Sequence, residues 1–172
     1  MESNNFILLM GKSGSGKSTI AKALYQKFGL AAIDSYTTRP PRCKNETGHI
    51  FVDDEEFDKL TNLVGFTEFN GYRYCATAEQ VEENEIYIID PDGVNYFTEY
   101  YNGNKNPIVI YLDVPNNVCF ERLFKRDGLK KALERYQNDK EAFKDAVAMA
   151  DEVISTTDLC ECVNQIYELW KF

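Results

Sequence analysis

Histidine is almost missing from this 172-residue chain: His49 stands alone, and the five cysteines, at 43, 75, 119, 160 and 162, form no Cys-x-x-Cys pair. So few nitrogen and sulfur ligands argue against a zinc site, and an odd number of thiols without metal or redox spacing argues against a disulfide framework. No segment approaches the ~18 apolar residues of a membrane span, and no charged leader with a long apolar stretch opens the chain. A reduced, cytoplasmic setting is the expectation, with no membrane partner. Repeats and low-complexity tracts are absent as well. Positive charge is scarce, since 28 acidic residues against 19 basic ones give a net charge of -9, which speaks against nucleic acid as a partner. The arginines are few, at 39, 42, 73, 122, 126 and 135. If this acidic chain binds an anion, it must gather those few cations locally. The length suits one compact domain and leaves the oligomeric state open.

Against these absences stands one dense motif. Residues Gly11 to Ser18 read Gly-Lys-Ser-Gly-Ser-Gly-Lys-Ser, the phosphate-loop pattern Gly-x-x-x-x-Gly-Lys-[Ser/Thr]. Phe6 to Met10 before it is an apolar run short enough for a buried strand, and Ile20, Ala21, Leu24 and Phe28 after it fall at helical spacing. Strand, glycine loop and helix thus come in the order that the chemistry requires. Glycines 11, 14 and 16 let successive N-H groups turn inward on an anion, and the following helix adds its positive end. The stretch Gly11, Ser13, Gly14, Ser15, Gly16, Lys17, Ser18 and Thr19 is therefore expected to bind a nucleoside triphosphate, with Lys17 reaching the β and γ phosphates and Ser18 on magnesium.

Downstream, Ala31 to Ile33 reads as a short strand and Asp34 to Gly48 as a long polar loop, of the kind that usually carries function. His49 to Val52 reads as a strand, Asp54 to Leu63 as a short helix, and Phe66 to Phe69 with Tyr72 to Ala76 as a hairpin turning at Asn70-Gly71. Ile86 to Ile89 and Ile108 to Leu112 are buried apolar runs that end in Asp90 and Asp113, as parallel core strands do. Helices are predicted over 115–125, 129–149 and 159–171, with a last strand at 152–155.

A second anion site is suggested by Ser35-Tyr36-Thr37-Thr38-Arg39-Pro40-Pro41-Arg42, where two arginines three apart stand among hydroxyls. Ser-x-Thr-Thr-Arg-x-x-Arg, followed by Glu46 and Gly48 ahead of Phe51-Val52, resembles the guanylate kinase signature, and the similarity runs nearly the full chain. Phe66-x-Glu68-Phe69 with Tyr74 and Thr77 resembles that family's guanine-site segment, Asp90-Pro91-Asp92-Gly93 its Asp-x-Asp segment, and Arg122, Arg126 and Arg135 its lid arginines. The resemblance implies a P-loop NTPase fold of the α/β class, a three-layer sandwich around a parallel core sheet. Its core would be residues 1–33 and 86–172, its monophosphate-binding insertion 34–85, and its short helical lid about 126–135. It implies transfer of the ATP γ-phosphoryl to GMP or dGMP with Mg2+. Lys17, Arg39, Arg126 and Arg135 would cover transition-state charge, and Ser35, Arg39, Arg42, His49, Glu68, Thr77 and Asp92 would bind the acceptor. Ser18 and Asp90 would hold the metal, although a strand-terminal aspartate can equally be a structural cap. Glu68, helped by Asp92, would accept from guanine N1-H and its exocyclic amine, donors that adenine lacks at those positions.

The chain departs from the family where its tyrosine on the acceptor phosphate becomes His49, where a base-contacting serine becomes Ala76, and where an asparagine beside the donor adenine becomes Thr156. His49 either donates to the phosphate or is a strand residue turned elsewhere. Other readings are a kinase of the same fold with another nucleotide or small phosphate as acceptor, and a non-catalytic interaction module, which typically lacks a working phosphate loop. A GTPase switch would need an Asn-Lys-x-Asp motif, and Asn104-Lys105-Asn106-Pro107 lacks the aspartate.

Overall fold

The computed structural model describes residues 3–69 and 71–172. Phe6 to Met10 form the centre of strand β1 (Asn5–Gly11), and all five are fully buried. Such a run suits a strand covered on both faces. Alternate side chains serve the two sides. Phe6, Leu8 and Met10 enter a cluster with Phe97 and Tyr111, while Ile7 and Leu9 enter another with Leu24, Ile110 and Ile166. Each fully buried side chain of this size contributes roughly 1.5–3 kcal/mol, so β1 is the spine of the molecule.

The chain continues through α1 (Lys17–Phe28), β2 (Ser35–Thr37), β3 (His49–Phe51), α2 (Asp54–Phe57), β4 (Leu63–Phe69), β5 (Tyr72–Thr77), α3 (Ala78–Glu83) and β6 (Ile86–Ile88). It ends with α4 (Pro91–Tyr100), β7 (Asn106–Leu112), α5 (Asn116–Asp127), α6 (Leu129–Ala142), α7 (Ala146–Met149), β8 (Glu152–Ile154) and α8 (Leu159–Lys171). The core sheet is parallel, in the order β6-β1-β7-β8. A second sheet, β3-β2-β5-β4, is mixed, and its four strands all lie between Ser35 and Thr77. With helices against the core sheet, the fold is of the expected α/β class.

Local differences from expectation have local causes. Ala31 to Ile33 makes only one bridge, between Ala32 and Ile86. Ser35 to Thr37, expected inside a loop, is a strand because β5 and β3 pair with it on either side. The predicted helix over 129–149 breaks at Phe143, whose ring turns inward to stack on Tyr111 at 6.3 Å. Two helices were hidden behind their caps. Thr77 starts α3 with a capping box, and Asp90 caps α4 through Gly93 N-H at 2.7 Å, with Pro91 in the first turn. Of the Asn70-Gly71 turn, Asn70 lies outside the described residues, while Gly71 has φ 76°.

Candidate active site

The phosphate loop joins β1 to α1, and its conformation excludes side chains at its tightest points. Gly14 has φ 80°, and a Cβ there would lie 2.6 Å from the Cys119 carbonyl oxygen of α5. Ser15 N-H donates to Lys12 O at 3.0 Å, and Arg122 on α5 donates to Gly14 O at 3.1 Å, pinning the loop from behind. The buried Ser15 Oγ has no hydrogen-bond partner among the described residues. An orphan hydroxyl is costly in a dry interior, and this one is packed against Gly11 at the end of β1.

Lys17 Nζ donates to Gly11 O and, at 3.0 Å, to Lys12 O. Burial pushes its pKa down to about 8, against the pull of the nearby Asp139 carboxylate. A phosphate placed there restores the charged form. ATP affinity is therefore expected to fall as pH rises through 8, because the free protein has lost the ammonium by then. Titration calorimetry should show Kd roughly tenfold weaker at pH 9 than at pH 7, with net proton uptake at pH 8.5 and none at 6.5. A pH-independent affinity would contradict this assignment of Lys17.

Two cavities open on opposite sides of the loop. The smaller, of about 280 Å³, is lined by Ser15, Gly16, Thr19, Arg122, Thr156 and Leu159, among others. The larger, of about 1090 Å³, lies between Ser13, Lys17 and the second sheet, with Arg39, Arg42, Arg126 and Arg135 in its walls. Here four of the six arginines meet, which resolves how an acidic chain receives an anion. Arg42 lies near enough to Arg135, Arg39 and Arg126 that burial and their charge together lower its pKa. Asp127 holds Arg126 at 2.8 Å and stands 3.6 Å from Arg135. Glu46 grips Arg39 in a two-point bond of 2.7 and 3.2 Å, and it accepts from Arg42 N-H at 2.5 Å. Arg39 is only 7% exposed, and its Nε is buried with no hydrogen-bond partner among the described residues. Glu46 thus fixes one edge of the guanidinium, and Tyr74 stands close enough to interact with it as well.

Four residues expected at the acceptor are not among those lining this cleft. In β4, Thr67 and Phe69 line it, so strand alternation sends Glu68 to the other face. There Glu68 pairs in register with Arg73, which binds Asp54 and Asp58 of the α2 region. Ser35 is buried and bonded to His49 Nδ1 at 2.9 Å, so the histidine is turned to the strand beside it. Burial and then Arg39 lower the His49 pKa, contrary to a charged imidazole near an anion. Thr77 is occupied as the cap of α3. Asp92 does line the cleft, as do Asp90, Tyr72 and Tyr74. Asp90 accepts from Thr67 Oγ1 at 3.1 Å with the oxygen that does not cap α4, and burial raises its pKa.

Sequence reasoning missed Asp139, a buried carboxylate that accepts from Ser13 N-H at 2.6 Å and Ser13 Oγ at 3.3 Å. The signal was present: Lys131, Arg135 and Asp139 are four apart, on one face of α6.

A parallel sheet with a phosphate loop at the carboxyl end of its inner strand β1, facing an arginine-walled cleft, defines the molecule as a P-loop phosphotransferase. The family model described as guanylate kinase matches residues 3–171. The guanylate kinase of Homo sapiens is 30% identical, over 94% of this chain and 90% of its own. That of Mycoplasmopsis pulmonis is 28% identical, over 91% and 84%. The crystal structure of guanylate kinase from Anaplasma phagocytophilum superposes with a TM-score of 0.70 at 21% identity, covering 98% of this chain and 85% of that one. This chain belongs to the guanylate kinase family.

Proposed function

We propose that this enzyme transfers the γ-phosphoryl of ATP to GMP or dGMP, giving ADP and GDP or dGDP. The observation that carries the reading is the cleft itself, with the phosphate loop on one wall and the Glu46-oriented Arg39 and Arg42 on the other. ATP lies with its nucleoside toward Thr156 and its phosphates along the loop, so that the γ end emerges at Ser13 and Lys17. The acceptor phosphate sits on the Arg39 and Arg42 side chains, both of which line the cleft. Its oxygen is already a nucleophile, so the protein's task is to align the two phosphates in line and to cover charge. Lys17, Arg126 and Arg135 do so from three sides.

The donor set also suits a hard cation. The exposed Ser18 hydroxyl at the start of α1 and the Asp90 carboxylate are oxygen ligands, and among the described residues no cluster of histidine, cysteine or carboxylates forms a complete metal site. Magnesium would accordingly arrive with ATP, held by Ser18 directly and by Asp90 through water, and would neutralise phosphate charge. The residues 34–85 form the monophosphate-binding part and 126–135 the lid, hinged at Gly128, where φ is 80°.

Base choice rests on Asp92 in the cleft rather than on Glu68. Asp92→Asn should raise the KM for GMP by about 10- to 100-fold, the loss of a charge-assisted bond, whereas Glu68→Gln should change it by less than about twofold. The reverse order would put Glu68 on the base. The founding experiment is a coupled ADP-release assay over GMP, dGMP, AMP, CMP, UMP and dTMP. Release with GMP or dGMP supports the proposal. Release with another monophosphate alone would move the acceptor, and silence across the panel would favour an interaction module.

A further inference from the structure

Asp139 has no part in the mechanism above, yet it occupies the most consequential spot in the cleft. The phosphate loop has two sides. Ser15, Gly16 and Thr19 face the smaller cavity, while Gly11, Ser13 and Lys17 face the large cleft where the arginines converge. A triphosphate laid along the loop therefore finishes at Ser13 and Lys17, and its last phosphate would meet the donors there. In this structure those donors are taken. Ser13 N-H and Ser13 Oγ both give to the Asp139 carboxylate, which is 6% exposed. Two charge-assisted contacts on one carboxylate are a reasonable imitation of a phosphate oxygen's surroundings.

We propose that Asp139 is an internal occupant of the γ-phosphate seat, which ATP must displace. ADP, one phosphate shorter, stops before Ser13 and leaves it in place. Displacement carries a mechanical consequence. Asp139 lies one helical turn beyond Arg135 and two beyond Lys131, on the same face of the continuous helix α6. A γ-phosphate that expels the carboxylate pushes on the element that holds the catalytic arginine. In exchange it offers Arg135 and Lys131 a partner richer in charge than the one removed. Asp139 is thus a positioning residue. It keeps Ser13 and the loop ordered while ATP is away, and it links the arrival of the third phosphate to the placement of α6. An acidic group in an anion site has a counterpart in the desolvated Lys17: of the opposite charges, Asp139 acts most strongly on Lys17 and Lys17 most strongly on Asp139.

The inference rests on the reading of the cleft as the seat of phosphoryl transfer, but its test needs no acceptor and so does not depend on which monophosphate is used. Binding of ADP and of a non-hydrolysable ATP analogue, each with magnesium, is measured by calorimetry for the wild type, Asp139→Ala and Asp139→Asn. Asparagine keeps the volume and an acceptor for Ser13 N-H while removing the charge, which guards against simple misfolding, and thermal melting monitors the fold. The expected result is an analogue Kd roughly tenfold tighter in Asp139→Ala and severalfold tighter in Asp139→Asn, with ADP affinity within about twofold throughout. Unchanged analogue affinity would overturn the proposal. So would a parallel loss for both nucleotides, which would make Asp139 a brace of the loop, and so would a loss for the analogue alone, which would make it a ligand to the nucleotide's metal.

Discussion

Lys17→Ala is expected to lower kcat by a factor on the order of 10³ without lowering the thermal stability of the nucleotide-free protein. The first half follows from position. In the proposed mechanism Lys17 stands where the triphosphate emerges toward the acceptor, in a partly closed site where a charge aimed at the transferring phosphoryl is worth about 10² to 10³ in rate or more. The second half follows from its environment. Its pKa of about 8 against an ordinary 10.5 means that the folded, empty protein holds the ammonium at a cost. The sign is fixed by proton counting. Below pH 8 both folded and unfolded states carry the proton, and the cost is present in full. Between 8 and 10.5 the unfolded chain binds a proton that the folded chain has shed, so wild-type stability rises through that window. The variant lacks this rise. Coupled ADP release and melting curves at pH 7 and 10 check both halves, and a destabilised variant at pH 7 would show that the bonds to Gly11 and Lys12 outweigh the burial cost.

The phosphate loop was legible because its chemistry is local. Its glycines, its lysine and the flanking strand and helix are adjacent in the chain, and the fold class followed from them. The proposed acceptor side was legible only in part. Arg39 and Arg42 could be read because they share one loop with Glu46, and four arginines meeting in one cleft agrees with the need for local positive charge. Glu68 could not be placed, because a strand residue's face is set by pairing rather than by neighbours in sequence. The register of β4 on β5 shifts between Val64 and Thr67, and one residue of shift exchanges the two faces. His49 and Thr77 met competing local partners, Ser35 and Gln80, which composition does not announce. Asp139 was missed because a lone aspartate on a polar helix looks like a solvated surface residue until the helix is laid over the loop.

Glu46→Gln is expected to reduce kcat/KM for the monophosphate by on the order of 10² while leaving the KM for ATP within about threefold. Glu46 touches neither substrate in the proposed mechanism. It acts through Arg39, whose guanidinium it holds at two points, and through the Arg42 backbone, so that both acceptor cations depend on one carboxylate. Burial would raise its pKa, but bonds from Arg39 and Arg42 bring it down to about 2. Glutamine keeps the shape, accepts from only one arm of the fork and leaves Arg39 buried with its charge uncompensated. Breaking such a pair costs about 3 kcal/mol or more, and here the arginine can escape that cost only by swinging out of the cleft. Stability gives an independent reading of the same bond. Because the folded pKa is depressed, the stabilisation is fully present above pH 4.5 and is lost as pH falls toward 2. The melting-temperature gap between wild type and variant should therefore hold steady from pH 8 to 5 and close between 4.5 and 2. A gap that persists into acid would mean that Glu46 stabilises the loop by shape rather than by charge. An unchanged kcat/KM would mean that Arg39 keeps its orientation from its other neighbours, the ring of Phe51 beneath it, Pro40 O and Tyr74.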